Sequence, residues 1–131
     1  MCMKLHHYLV IVLAICLFLG GIFFLKGSLP WQKSGCSKEI AETIIILNND
    51  SFTPATTTIK QCTKVTFQIE GGSAHWPASD LHPTHLIYPE FDPQKPINSG
   101  NSWSFIFDKV GKWRCHDHLH PQVRCIIEVS N

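Results

Sequence analysis

Short segments in which apolar and polar residues alternate run from residue 42 to the C-terminus, and they constrain the fold more than any other feature. In one of them, Val65, Phe67 and Ile69 alternate with polar residues and precede two glycines. A period of two is typical of a strand with one buried face, because successive side chains point to opposite faces of a sheet. The same alternation predicts strands at 103–107 and 125–129, and two runs rich in β-branched residues predict strands at 43–47 and 56–60. None of these segments has a helical period. The sequence therefore predicts an all-β domain, an antiparallel β-sandwich of Greek-key type.

The N-terminal part of the chain has a different composition. Residues 8–25 form an apolar run of eighteen residues without a charged side chain. A helix of this length spans roughly 27 Å, close to the hydrocarbon thickness of about 30 Å of a bilayer. No cleavage pattern of small residues follows, so we predict an uncleaved transmembrane helix rather than a signal peptide. Residues 1–7 are then a short cytoplasmic flank, and residues 26–39 are a linker to a domain of residues 40–131.

The charge balance argues against nucleic acid as a partner. The net charge is +1 and charged residues make up 16% of the chain, so the basic field that nucleic-acid binding requires is missing. A length of 131 residues allows one folded domain beside the predicted anchor.

Histidines are concentrated in two parts of the predicted domain. His116, His118 and His120 lie within five residues of each other and enclose Asp117. On an extended segment, residues two positions apart share a face, so the three histidines would point the same way. Imidazoles on one face are ready ligands for copper or zinc. His75, His82 and His85 lie in a segment, residues 73–97, that contains five prolines and lacks strand patterning. A loop of this length is usually functional, so we predict a metal site rather than a solvated turn rich in histidine.

The order of these signals resembles a cupredoxin, the copper-binding β-sandwich represented by plastocyanin and amicyanin. The resemblance covers about residues 40–130 and is carried by Phe52-Thr-Pro54, Lys64-Val-Thr-Phe67, Phe107-Asp-Lys-Val-Gly-Lys-Trp113 and His120-Pro121. It implies a β-sandwich with a mononuclear copper site at one end.

The resemblance also implies which residues hold the metal. A cupredoxin has one histidine ligand after its third strand and others in a closing loop of pattern Cys-x-x-His-x-x-Met. These positions correspond to His75, Asp117, His120 and Val123, so both sulfur ligands are replaced. A thiolate favours Cu(I), whereas a carboxylate oxygen is harder and favours a divalent ion. The resemblance thus implies a non-blue site for Cu(II), with zinc as the second choice.

Five residues besides the two primary ligands are candidates for this site. His75 and His120 are the expected primary ligands, and His116, His118 and Asp117 are candidates for the remaining positions. His82 and His85 either close the same site or form a second one at the surface. The implied function is copper handling or electron transfer at the membrane, with a redox or copper-delivery protein as partner.

Two alternatives from other classes remain open. Trp113-x-x-His116-x-His118 and His82-Pro-Thr-His85 resemble short motifs of multicopper oxidases, again with Asp117 at the place of a cysteine. Those histidines serve a trinuclear centre shared between domains, so this resemblance implies an oligomeric copper-dependent oxidoreductase. The third reading is a structural surface module without metal. The residues do not decide whether the protein is an enzyme, although a binding protein is favoured.

Four cysteines lie in the predicted domain or at its start, and they allow three pairings or a soft metal site. The cupredoxin topology places the start of the first strand near the turn before the third, which implies a Cys36–Cys62 bridge. It also places Cys115 and Cys125 on adjacent antiparallel strands, which implies a second bridge. Disulfides require an oxidising compartment, so we expect the domain on the extracytoplasmic side of the membrane.

Overall fold

Eight strands account for the regular structure of residues 35–131, the part of the chain that the computed structural model describes. No helix occurs within this range. The prediction of an all-β sandwich is confirmed. The strands are β1 (Ala41–Leu47), β2 (Phe52–Thr53), β3 (Thr56–Lys60), β4 (Thr63–Ile69), β5 (Pro77–Ser79), β6 (Ser102–Phe107), β7 (Gly111–Asp117) and β8 (His120–Ser130).

The strands form two sheets of four, in the orders β2-β1-β4-β6 and β3-β8-β7-β5. Most neighbours are antiparallel, but β1 pairs with β4, and β3 pairs with β8, in parallel. The chain leaves β1, crosses to β3 in the other sheet and returns to β4, which therefore runs in the same direction as β1. The expectation of purely antiparallel sheets is wrong for these two pairs.

The core lies between the two sheets, where the alternating residues predict it. Val65, Phe67 and Ile69 on β4 are fully buried, whereas Gln68 between them is exposed. Burying an apolar side chain of this size stabilises the fold by about 1.5–3 kcal/mol. The other strands add to the same core with Ile45, Leu47, Phe52, Ile59, Phe107, Ile127 and Val129.

The long loop between β5 and β6 belongs to this core. Phe91 is completely buried and stacks on Phe67 and Trp103, with ring centroids 5.4 and 5.8 Å apart. Tyr88 is also buried, and its hydroxyl donates a hydrogen bond to Asp108, the residue that follows β6. These two side chains hold the loop against the sandwich, so the polar residues between β5 and Phe91 have fixed positions.

Both predicted disulfides are present. Cys36 is bonded to Cys62, and Cys115 is bonded to Cys125. The second bridge joins β7 to β8, where these two cysteines are direct partners in the strand pairing. It fixes the base of the hairpin that carries His116, Asp117, His118 and His120. The prediction of the two pairings is confirmed.

The predicted cytoplasmic flank, the predicted transmembrane helix at 8–25 and most of the predicted linker lie outside the described residues. Within residues 35–131 the structure contains no helix that is long and apolar enough to cross a membrane.

Candidate metal centre

Two groups of potential metal ligands lie on the described part of the chain. His75, Asp117 and His120 form the first, here called the aspartate-centred group. The second, here called the tetrahistidine group, consists of His82, His85, His116 and His118. Within each group the ligand atoms all lie within 4.8 Å of one another. All seven residues that the sequence singled out as candidate ligands therefore fall into one group or the other.

The hairpin between β7 and β8 supplies ligands to both groups. β7 ends at Asp117, residues 118 and 119 form the turn, and β8 begins at His120. Consecutive residues of a strand point to opposite sides, so Asp117 turns away from His116 and His118. The register also shifts between His116 and Asp117, where the strand is irregular. His120 consequently faces Asp117 across the turn, and the three hairpin histidines do not share one face.

Asp117 is the centre of the first group. Its Oδ2 atom lies 2.7 Å from Nδ1 of His75 and 2.6 Å from Nδ1 of His120. Its Oδ1 atom accepts hydrogen bonds from the backbone amides of Trp76 and Leu119, at 2.8 and 3.2 Å. Burial alone would raise the pKa of Asp117, but these hydrogen bonds outweigh it, and the pKa lies below its usual value. The carboxylate is therefore charged at neutral pH.

His75 is held rigidly beside this carboxylate. Its backbone exchanges two hydrogen bonds with Ile97, at 3.0 and 2.8 Å, and its side chain is completely buried. Among residues 35–131, its Nε2 atom has no hydrogen-bond partner. An unpaired buried polar atom costs about 1–3 kcal/mol. Hydrogen bonding within the described chain thus does not account for the burial of this imidazole. His120 is different, since its side chain is 39% exposed and gives the group access to solvent.

The tetrahistidine group lies where the β5–β6 loop covers the hairpin. Nδ1 of His82 lies 3.2 Å from Nε2 of His116, and Nε2 of His85 lies 2.9 Å from Nδ1 of His118. His85 and His116 are buried, His118 is half-buried and His82 is exposed. Two ligands thus come from the loop and two from β7 and its turn.

Carboxylates hold the outer nitrogens of the two buried histidines. Nδ1 of His116 lies 3.1 Å from Oδ1 of Asp80, and Nδ1 of His85 lies 2.6 Å from Oδ2 of Asp92. A carboxylate on the far nitrogen of an imidazole is a common feature of metal sites, because it fixes the tautomer and the ring orientation. Asp92 is fixed in turn by Nε1 of Trp76, at 2.7 Å.

The surroundings of His116 and His118 favour the neutral form of these two imidazoles. Burial lowers the pKa of His116, and hydrogen bonding to Asp80 opposes this only in part. Burial and the neighbouring imidazoles of His85 and His82 lower the pKa of His118. Neutral imidazoles have the lone pair that a metal ion requires.

Solved structures with the same architecture come from copper proteins. A purple cupredoxin from Nitrosopumilus maritimus matches with a TM-score of 0.58 and 22% identity, over 66% of this chain and 98% of that one. A fern plastocyanin matches with a TM-score of 0.56 and 16% identity, over 67% and 100% of the two chains. The domain has a cupredoxin fold. No protein-family model and no curated protein sequence matches the chain.

One of the matching structures is a larger enzyme, in which the matched region is only a part of the chain. The copper-containing nitrite reductase from Thermus scotoductus matches with a TM-score of 0.58 and 22% identity. The match covers 69% of this chain but only 22% of the reductase. At these identities the comparisons establish the fold of the cupredoxin-like domain, and its site has to be judged on its own residues.

The aspartate-centred group fits the copper ion that this fold implies. It offers two imidazole nitrogens and one charged carboxylate oxygen around one point. Ligand atoms about 2.1 Å from a metal at tetrahedral angles are about 3.4 Å apart. The observed separations from Oδ2 of Asp117, 2.6 and 2.7 Å, need to widen by less than about 1 Å. Val123, which corresponds to the methionine ligand of the cupredoxin pattern, is buried and apolar and offers no ligand atom.

Sequence reasoning missed the two outer carboxylates of the cupredoxin-like domain. Asp80 reads in the sequence as a turn residue, but it is buried and contacts His116, Arg114 and Arg124. Asp92 has no pattern in the sequence that connects it with His85. Both depend on the path of the β5–β6 loop, and only the burial of Phe91 next to Asp92 could have indicated that path.

Proposed function

We propose that the cupredoxin-like domain binds one divalent copper ion through His75, Asp117 and His120. The observation that carries this proposal is the convergence of two imidazole Nδ1 atoms on one carboxylate oxygen in a buried part of the domain. A copper ion bound there would supply a one-electron redox centre, or it would be held for transfer to a partner.

The ligand set favours copper handling over fast electron transfer. With Asp117 in place of a thiolate the site lacks sulfur, so it favours Cu(II) and does not give the strong colour of a copper–thiolate bond. Imidazole and carboxylate ligands also suit zinc, which is the competing ion. His120 is the solvent-accessible ligand. It is the place where a copper-delivery or redox protein would reach the ion.

We also propose that the domain works outside the cytoplasm at a membrane surface. Support comes from the two disulfides, which form and persist in oxidising compartments. The apolar run at 8–25 would hold the domain at the membrane as a single-pass anchor.

Titration of the full-length chain in detergent with Cu²⁺ tests the proposal. We expect bound Cu²⁺ with a weak d–d absorption and without an intense band near about 600 nm. His120→Ala should weaken the affinity for one Cu²⁺ equivalent by at least the about 10–100-fold that loss of an outer partner costs, because it removes a direct ligand. Asp117→Asn should weaken the same affinity, because it replaces the charged ligand oxygen with a neutral amide. Leu119→Ala, an exposed neighbour in the same turn, is the matched control and should bind like the wild type.

Three results would overturn this function. Unchanged binding in both ligand variants would show that copper is held elsewhere. An intense blue band would show that a thiolate is a ligand. Failure of the wild type to bind either Cu²⁺ or Zn²⁺ would leave a structural surface module.

A further inference from the structure

The tetrahistidine group has its own supporting carboxylates, its own access to solvent and no ligand in common with the aspartate-centred group. We propose that it is a second metal site, which binds one divalent ion that prefers imidazole ligands, Cu²⁺ or Zn²⁺. This proposal does not depend on copper binding at the aspartate-centred group.

The hydrogen bonds fix the tautomers of the two buried histidines in the form that a metal requires. An ionised carboxylate accepts hydrogen bonds, so His116 donates Nδ1–H to Asp80 and His85 donates Nδ1–H to Asp92. The Nε2 atom of each neutral ring then has a lone pair. Both lone pairs point toward the other two histidines of the group, His118 and His82. These two nitrogens are thus positioned as ligands before any ion arrives.

The outer carboxylates are themselves held in place. Asp92 accepts hydrogen bonds from Nε1 of Trp76 and from the backbone amide of Gln94, both at 2.7 Å. Asp80 lies 3.3 Å from Nη1 of Arg124 and 3.4 Å from Nε of Arg114. Ligands with such outer partners keep their orientation when the ion leaves, which raises metal affinity.

The backbone also holds one of the ligands in a conformation that L-residues disfavour. His85 has a φ of 53°, in the left-handed region, and its amide donates a hydrogen bond of 2.6 Å to the carbonyl of Leu81. A residue with this φ persists where the surroundings determine it, and such residues are frequent at binding sites. Here the conformation directs the imidazole of His85 toward His118.

The chemistry of the site defines the class of ion. Four imidazole nitrogens without a sulfur or carboxylate ligand suit Cu²⁺ and Zn²⁺ and do not suit Ca²⁺ or Mg²⁺, which prefer oxygen. The carboxylate of Asp92 beside His85 offsets part of the charge of a divalent ion. Exchange of the ion takes place on the side of His82, the exposed ligand.

Metal stoichiometry of the full-length chain tests the proposal. After loading with Cu²⁺ or Zn²⁺ alone and removal of loose metal by dialysis, elemental analysis gives the ions per chain. We expect the His82→Ala/His118→Ala variant to hold one ion fewer than the wild type. The Leu81→Ala/Leu86→Ala variant, with two exposed residues of the same loop changed, should hold as many as the wild type. The two loading arms show which of the two ions the site retains.

A spectroscopic readout separates this site from the aspartate-centred one. Cu²⁺ in the tetrahistidine group, isolated in a His120→Ala/Asp117→Asn background, should show magnetic coupling to four nitrogens. A cooperative urea-unfolding transition like that of the wild type shows that the variant lacking His82 and His118 has folded, so the loss of the ion is specific. If that variant holds as many ions as the wild type, the proposal is wrong. It is also wrong if the His120→Ala/Asp117→Asn background holds no ion. If the His120→Ala/Asp117→Asn background and the wild type each hold one ion, the proposed function is wrong and the tetrahistidine site is supported.

Discussion

Trp76 donates its backbone amide to Oδ1 of Asp117, at 2.8 Å, and its carbonyl accepts the amide of His118, at 2.8 Å. The indole of the same residue contacts the ring of His118 with centroids 4.5 Å apart. Its Nε1 atom donates to Asp92, the outer partner of His85. Trp76 therefore connects Asp117, the centre of the first group, with one candidate ligand of the second group, His118, and with one of its outer carboxylates, Asp92. Its backbone contacts both groups, whereas its side chain contacts only the tetrahistidine group and its support, so a side-chain substitution can test that second contact separately.

Trp76→Phe should weaken metal binding at the tetrahistidine group and leave metal binding at the aspartate-centred group unchanged. The phenyl ring keeps the packing against His118 but loses the hydrogen bond to Asp92, and the backbone bond to Asp117 is unaffected. Loss of an outer partner usually costs about 10–100-fold in metal affinity. Competition with a chromophoric chelator measures both affinities. Trp103→Phe, a tryptophan that packs on the core away from the histidines, is the control. Equal weakening of metal binding at both groups would contradict a side-chain role confined to the tetrahistidine group.

Tyr88→Phe should destabilise the domain by about 1–3 kcal/mol at neutral pH, because it removes a hydrogen bond to a charged carboxylate. Burial and the hydrogen bond to Asp108 both raise the pKa of Tyr88 above its usual value. Burial would raise the pKa of Asp108, but the hydrogen bonds from Tyr88 and the Gly35 amide outweigh it, and that pKa is lowered. Urea unfolding of both proteins across pH gives the difference in the free energy of unfolding.

The signs of these two shifts set the pH window of this difference. A lowered pKa for Asp108 contributes stability above its ordinary value near 4, and this contribution is lost as pH falls through the lowered value. A raised pKa for Tyr88 contributes stability below its ordinary value near 10, and this contribution is lost as pH rises further. The gap between wild type and Tyr88→Phe should therefore be largest between about pH 4 and 10. Asp108→Asn keeps an acceptor but removes the charge, and it should flatten the acid limb. A gap that stays the same at pH 3 would refute this account.

Removal of either disulfide should destabilise the domain, but only removal of Cys115–Cys125 should also weaken metal binding. Their sequence separations are 26 for Cys36–Cys62 and 10 for Cys115–Cys125. The loop-entropy estimate gives about 3.5 kcal/mol for the first and about 2.7 kcal/mol for the second. Only the second joins the strands next to His116 and Asp117, so only the Cys115→Ala/Cys125→Ala variant should also lose metal affinity. Unfolding midpoints and metal titrations of the two double variants, each serving as control for the other, check this. Weaker metal binding after removal of Cys36–Cys62 alone would contradict it.

The strands and the disulfides could be predicted because they follow from local pattern and from topology. Alternation around Val65 and Phe67 fixes the buried face of β4 without any knowledge of its neighbours. The pairing of Cys115 with Cys125 follows once both are placed on adjacent strands. The approach of His75 to His120, whose rings are 5.3 Å apart, was implied by the resemblance in the same way.

The division of the histidines into two groups could not be predicted from spacing. His116, His118 and His120 are evenly spaced, but the strand register shifts between His116 and Asp117, and the chain turns at residues 118 and 119. Asp80 and Asp92 depend on a loop whose course is decided by the burial of Tyr88 and Phe91. Such contacts join residues through the tertiary structure, and no period in the sequence encodes them.

Phe91→Ala should destabilise the core and also weaken metal binding at the tetrahistidine group. The ring is fully buried and packs on Phe67, Trp103 and two further aromatic rings, so its loss should cost about 3–5 kcal/mol. Asp92 follows Phe91 directly, and a loop that is less tightly anchored would hold His85 less precisely. We therefore expect weaker Zn²⁺ binding at the tetrahistidine group and little change at the aspartate-centred group, measured on folded protein in the absence of urea.

Phe52→Ala is the matched control for this prediction. Phe52 is equally buried and contacts Phe67 edge to face, with centroids 6.2 Å apart, but it lies on β2. This variant should lose comparable stability in urea unfolding and keep the metal affinity of both groups, because no ligand or outer carboxylate adjoins it in the chain. If both variants weaken the tetrahistidine group equally, the effect reflects general loss of stability. The β5–β6 loop would then not be what Phe91 anchors for metal binding.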